Sequence, residues 1–200
     1  MAASYIRGSR LEGHVGLEQD QLYQHALTNS VNRVQIVTLP KKGNKKLTNH
    51  DIDHDFGGLL WCGLAAISAV TGASTSRIRD LVKRYRKNPN SVVTGTNEYE
   101  VEYVLKRLGF HMENACYYGG KDETTRPSLS KWLEETKKLR VNDVAYLIAF
   151  RPCKTDPNWH WGVVQNGLYL CTFTNQWVEL KKAPWRRRKI EHVFAIKRVK

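Results

Sequence analysis

The chain has 200 residues, 41% of them apolar, and 32 lysines and arginines against 19 acidic residues give it a formal net charge of +13. That length makes one ordinary domain with room for an arm, and the apolar fraction excludes a wholly disordered chain. The charge excess points to an anionic partner or surface and says nothing of the fold. No apolar run approaches the roughly 18 residues of a membrane span, and the N-terminus lacks the hydrophobic block of a secretory signal, so a cytoplasmic protein is expected. Cys62, Cys116, Cys153 and Cys171 lie far apart with no C-x-x-C pair. They read as reduced thiols rather than a zinc ribbon or a disulfide framework, and neither a metal nor another cofactor is expected.

Residues 1–33 are polar and weakly periodic and read as an N-terminal arm, with "LEQDQLYQHAL" as a short amphipathic helix; residues 34–200 read as the domain proper. "RVQIVTL" (33–39) is a strand pattern, and "PKKGNKKLTNHDIDHDF" (40–56) is a polar loop that turns from basic to acidic. His50 and His54 stand four apart there, among Asp51, Asp53 and Asp55. A zinc-protease helix would place a glutamate where Asp51 stands and would need a third ligand, so the segment reads as a solvated acidic loop.

"GGLLWCGLAAISAVTG" (57–72) is too long and too rich in alanine for a strand and predicts a buried helix from Cys62 to Gly72. "STSRIRDLVKRYRKNP" predicts a second helix. Ser74, Thr75 or Ser76 caps it, Ile78, Leu81, Val82 and Tyr85 form one apolar face, and Asn88-Pro89 ends it. In "TNEYEVEYVLKRLGF" the face is Val101, Val104, Leu105 and Leu108, closed by Gly109. A strand, "FHMENACYY", and a short helix near "PSLSKWLEETKKL" follow.

From Asn142 the period changes. "VAYLIAF" (144–150) is a buried strand, "HWGVVQ" (160–165) and "LYLCTFT" (168–174) form a hairpin through Asn166-Gly167, and "HVFAIKRV" (192–199) is the last strand. Helices first and an antiparallel sheet second make an α+β fold, with no βαβ alternation and no phosphate-binding glycine loop.

A cysteine that opens a helix meets unpaired N–H groups and the positive end of the macrodipole, both of which favour the thiolate. A nucleophilic cysteine also needs a base, and His160 opens a strand. Fifteen residues on, past the return strand, stands Asn175. Strand, tight turn and strand bring these two together at one end of the sheet. Asn175 would then accept from one ring nitrogen while the other faces Cys62. The competing reading of any one cysteine is packing; Cys116 and Cys171 alternate within strands as core residues do, and Cys153 sits in a loop.

This order resembles the papain-like cysteine peptidase fold, nearest the group that cleaves double-glycine bacteriocin leaders. "WCGLAAISAVTG" is similar to the nucleophile helix of that group, "TGTNEYEVEYVLKRLGF" to the helix before its sheet, and "HWGVVQNGLYLCTFTNQW" to its catalytic hairpin. The likeness runs over roughly residues 55–199. It implies a hydrolase of peptide or amide bonds with a protein or peptide substrate. Cys62 would be the nucleophile, His160 the general base and Asn175 the orienting group. Trp177 would shield that hydrogen bond, with Trp61 in support beside the cysteine. Such peptidases usually carry an oxyanion-hole glutamine six residues before the cysteine, where this chain has Phe56. Losing one oxyanion donor costs on the order of 10²–10³ in rate.

That departure and the charge define the second reading, a catalytically degenerate papain-like domain that binds nucleic acid or an acidic protein. Its candidate contacts lie in "KKAPWRRRK": Lys181, Lys182, Trp185, Arg186, Arg187 and Arg188. Aromatic and basic groups interleave there as single-stranded nucleic acid favours, against a solvated surface loop as the plain alternative. Transfer of the acyl group to a nucleophile other than water is a third reading. The compact basic chain suits a phage or virus-encoded factor.

Overall fold

The computed structural model describes residues 48–53, 61–118, 124–138, 140, 144–154, 156–174 and 176–199. The readings made above for residues 1–33, the 33–39 strand, His54, Asp55, Phe56 and Asn175 lie outside them. Among the described residues three helices come first: α1 (Cys62–Thr71), α2 (Thr75–Tyr85) and α3 (Glu98–Arg107). After β1 (Phe110–Tyr117) and the short α4 (Leu129–Glu135) come β2 (Ala145–Phe150), β3 (His160–Gln165), β4 (Leu168–Leu170), β5 (Val178–Glu179) and β6 (Ile190–Arg198). The strands form one six-stranded sheet in the order β1-β6-β2-β3-β4-β5, antiparallel at every pairing. This is the expected α+β arrangement of helices on an antiparallel sheet.

Each helix starts and stops for a local reason. Ser74 caps α2 by accepting from the Arg77 N–H, and Asn97 and Glu100 form a reciprocal capping box at α3. Glu100 also receives two bonds from the Arg86 guanidinium, at 2.6 and 3.1 Å, and Arg86 reaches on to the carbonyls of Val92 and Gly95. One side chain thus fastens the end of α2, the connecting loop and the start of α3. α1 has no side-chain cap at Trp61 and ends at Gly72, whose φ of 71° closes the helix with a bond from its N–H to the Ser68 carbonyl.

The sheet separates two apolar layers by simple alternation. Ala145, Leu147, Trp161, Val163, Phe194 and Ile196 face α1, α2 and α3. Tyr146, Ile148, Phe150, Val164, Tyr169 and Val193 face the other way, toward Leu129, Trp132 and Leu133 of α4. α1 is the innermost helix: every side chain from Gly63 to Val70 is buried, and α1 packs directly on β3.

The hairpin turn falls at Asn166-Gly167, with φ of 50° and 77°, as the dipeptide requires. Its return strand is shorter than expected. β4 stops at Leu170 because the Thr174 hydroxyl takes the Cys171 N–H and donates back to the Cys171 carbonyl, closing a local turn in place of further ladder. β6 begins two residues before the expected 192, and the two-residue β5 and a 3-10 turn at Leu180–Lys182 were not legible in the pattern.

Candidate functional site

Cys62 is the first residue of α1, half-buried against the helix-side core. Three backbone N–H groups act on its sulfur, those of Trp161, Gly63 and Cys62 itself, and each favours the thiolate. Burial outweighs them and pushes the thiol above its ordinary value, with a further upward push from nearby Cys171. In this arrangement Cys62 is a protonated thiol at neutral pH.

The approach of α1 to β3 is permitted by two small contacts. A methyl group at Gly63 would fall 1.8 Å from the Thr96 hydroxyl, so only glycine fits. Trp161 lies on the helix face of β3 and donates from its indole to the Thr96 carbonyl at 3.1 Å, which fixes the strand beside the helix start.

His160 occupies the first position of β3 and is 5% exposed. Its ring lies 5.1 Å from that of Phe173, 6.1 Å from Trp185 and 6.3 Å from Phe150. Phe150 and Trp185 belong to the layer on the α4 side of the sheet. The expectation that a ring nitrogen of His160 faces Cys62 is therefore corrected. Residues 161 and 163 point at α1, so residues 160, 162 and 164 point away from it. Burial, then the neighbouring Arg188 guanidinium, hold His160 down to about 4, with Asp156 pulling weakly the other way. Its Nε2 is buried without a hydrogen-bond partner.

The other expected residues are distributed as follows. Trp61 stands at the N-cap position of α1 and packs on the helix-side core. Trp177 packs on the same core and donates from its indole to the His50 carbonyl at 2.8 Å, tying the hairpin to the segment before α1. Lys181 and Lys182 flank Glu179 in exposed ion pairs of 2.7 and 3.8 Å. Arg186 reaches the Lys181 carbonyl and the Ser130 hydroxyl, and Arg187 is exposed.

Arg188, read above among the candidate nucleic-acid contacts, is buried, unlike Arg186 and Arg187. Its side chain is 2% exposed, and its guanidinium pairs with Asp156 at 2.8 Å, donates to the carbonyls of Arg151 and Asn158, and stacks 4.8 Å from the Trp185 ring. It is an internal strut and cannot reach a ligand without breaking those bonds.

Sequence reasoning missed Gly162 and Tyr169, which back the site from the far side of β3 together with Cys171, read above as core and buried here. A methyl at Gly162 would lie 2.7 Å from the Tyr169 hydroxyl, so that hydroxyl rests against bare strand. Cys171 is buried close to Tyr169, whose pKa burial pushes up. The signal was a glycine inside an otherwise bulky strand, which marks close approach of another group. Among the described residues no group of three or more His, Cys, Asp or Glu is placed to hold a metal ion, and no described helix is long and apolar enough to cross a membrane.

Fold and site together define an α+β domain whose helix-start cysteine meets the first amides of an antiparallel hairpin. Among solved structures the chain is similar to the peptidase domain of Streptococcus ComA, a bifunctional ABC transporter involved in a quorum-sensing pathway. The two are 14% identical with a TM-score of 0.42, over 68% of this chain and 90% of that one. No protein-family model matches the chain, and no curated protein matches it at a significant level.

Proposed function

We propose that this chain is a thiol-dependent hydrolase of peptide or amide bonds, with Cys62 as nucleophile, His160 as general base and Asn175 as the group that orients the imidazole. One observation carries the reading: the backbone N–H groups of Trp161, Gly63 and Cys62 act on a sulfur at the first residue of a buried helix. Donors so placed favour a thiolate and, after attack, can stabilise the oxyanion of a tetrahedral intermediate.

His160 is joined through its own carbonyl carbon to the Trp161 nitrogen that touches Cys62, so the imidazole is tethered beside the sulfur. The arrangement described is the resting one. To serve Cys62 the backbone at the start of β3 must turn over, releasing Trp161 from its packing, because side-chain torsions alone leave the ring on the face to which its Cβ points. The unsatisfied buried Nε2 costs the resting state about 1–3 kcal/mol, which offsets part of the work of that rearrangement. In the turned state the imidazole takes the thiol proton as Cys62 Sγ attacks the carbonyl carbon, then returns it to the departing amine. Water cleaves the thioester, releasing the acid and restoring the thiol.

The second reading, a degenerate scaffold that only binds, rests on two observations. Burial keeps the thiol protonated, and the His160 ring sits across the sheet. Incubation of the full chain with a defined peptide library, read by mass spectrometry for new termini, separates the two. The hydrolase reading expects cleavage that disappears in Cys62→Ala and falls at least a hundredfold in His160→Ala. Absence of cleavage in the wild type, or cleavage equal in all three proteins, leaves the scaffold.

A further inference from the structure

The end of the sheet where β2 and β4 finish and β3 and β6 begin carries an aromatic and basic surface around the pocket that holds His160. Phe173 is 62% exposed and Trp159 is 52% exposed, both unusual for large rings. Phe173 stands edge-on to Trp185 at 5.1 Å, and Trp185 lines a cleft of about 460 Å³ together with Cys153, Pro184, Arg186, Arg187 and Arg188. The Arg151 guanidinium lies 5.6 Å from the centre of the Trp159 ring.

The charges there divide by burial. Asp156 is taken up by Arg188, and Glu191 by Arg126 at 2.9 Å and Arg151 at 3.7 Å. Arg186 and Arg187 are exposed and enter no ion pair among the described residues, so their charges face outward. The surface thus offers ring faces to stack on and positive charge beside them.

We propose that this surface binds single-stranded nucleic acid, with bases stacked on Phe173 and Trp159 and the phosphate backbone running past Arg186 and Arg187. A duplex keeps its base faces covered and could use only the cations. A peptide of acidic residues alone, such as polyglutamate, has no flat apolar faces for the rings. A single strand alone uses both features, and the chain's excess of positive charge draws it in.

The test uses the full chain and a fluorescein-labelled dT20, read by anisotropy from 50 to 300 mM NaCl, with a 20-base-pair duplex and polyglutamate as competitors. The expected result is binding that weakens with salt, resists competition by duplex and polyglutamate, and falls about tenfold in Phe173→Ala and in Trp159→Ala at fixed salt. Arg187→Gln should instead flatten the plot of log affinity against log salt by about 0.7, the release of roughly one counterion. All three positions are exposed, and near-ultraviolet circular dichroism checks that each variant is folded. The proposal is overturned if dT20 does not bind at 50 mM salt, if duplex or polyglutamate competes equally, or if the aromatic variants bind as the wild type does.

Discussion

The backbone N–H of Trp161 faces the sulfur of Cys62, while the side chain of the same tryptophan covers the helix start and bonds to Thr96. Trp161 is therefore the hinge of the site. Its amide serves the nucleophile, its indole fixes the distance between α1 and β3, and its place in the strand sends the preceding ring to the opposite face. Alternation along an extended strand leaves no other choice as long as Trp161 stays packed.

The buried imidazole makes stability depend on acid in a defined window. His160 falls from about 6.5 in the unfolded chain to about 4 in the fold, because burial and Arg188 disfavour its charged form. The folded state then binds fewer protons, so the contribution is complete above about pH 6.5 and is lost as pH falls through 4. Urea unfolding at pH 7 and pH 4 should show the wild type losing about 3 kcal/mol more than His160→Gln over that interval. Equal losses would mean that the ring is solvated in the native state.

Gly162→Ala tests which face of β3 is which. The new methyl would meet the Tyr169 hydroxyl at 2.7 Å and the Phe150 ring at 3.0 Å, both in the layer away from α1. The expected cost is about 1–3 kcal/mol by thermal unfolding, with Tyr169→Phe in the same chain recovering part of it. A neutral Gly162→Ala would place the residue in open space and reverse the assignment of the two faces.

Glu100 is the fastening point of the helical layer. Glu100→Ala removes half of the capping box at Asn97 and leaves the Arg86 guanidinium without its carboxylate. Roughly 2–4 kcal/mol should be lost. Glu100→Gln, which keeps an acceptor for the Asn97 N–H, should lose less. Chemical denaturation of the three proteins checks the order, and an unchanged Glu100→Ala would show that the loop between α2 and α3 holds itself.

Much of this architecture was written in the chain. The cap at Ser74, the apolar faces of α2 and α3, and the Asn166-Gly167 turn are local signals, and the structure carries each of them out. The facing of His160 was also there, in a form easy to overlook. Trp161 and Val163 share one face, and a bare glycine follows the histidine on the other, the mark of a second layer pressing from that side. What no local pattern carried is the burial of Arg188. Its fate depends on Asp156 and on two carbonyls that lie about thirty residues or more away in sequence.

The most direct test of the hydrolase reading is the rate at which iodoacetamide alkylates each cysteine from pH 4 to 9, read by peptide mass spectrometry in the wild type and in His160→Ala. If the turned histidine serves Cys62, that residue reacts faster than half-buried Cys116 and Cys153, keeps reacting below pH 7, and slows at least tenfold when His160 is removed. If Cys62 reacts only at alkaline pH, and equally in both proteins, the thiol is a packing group at the head of α1 and the catalytic account fails.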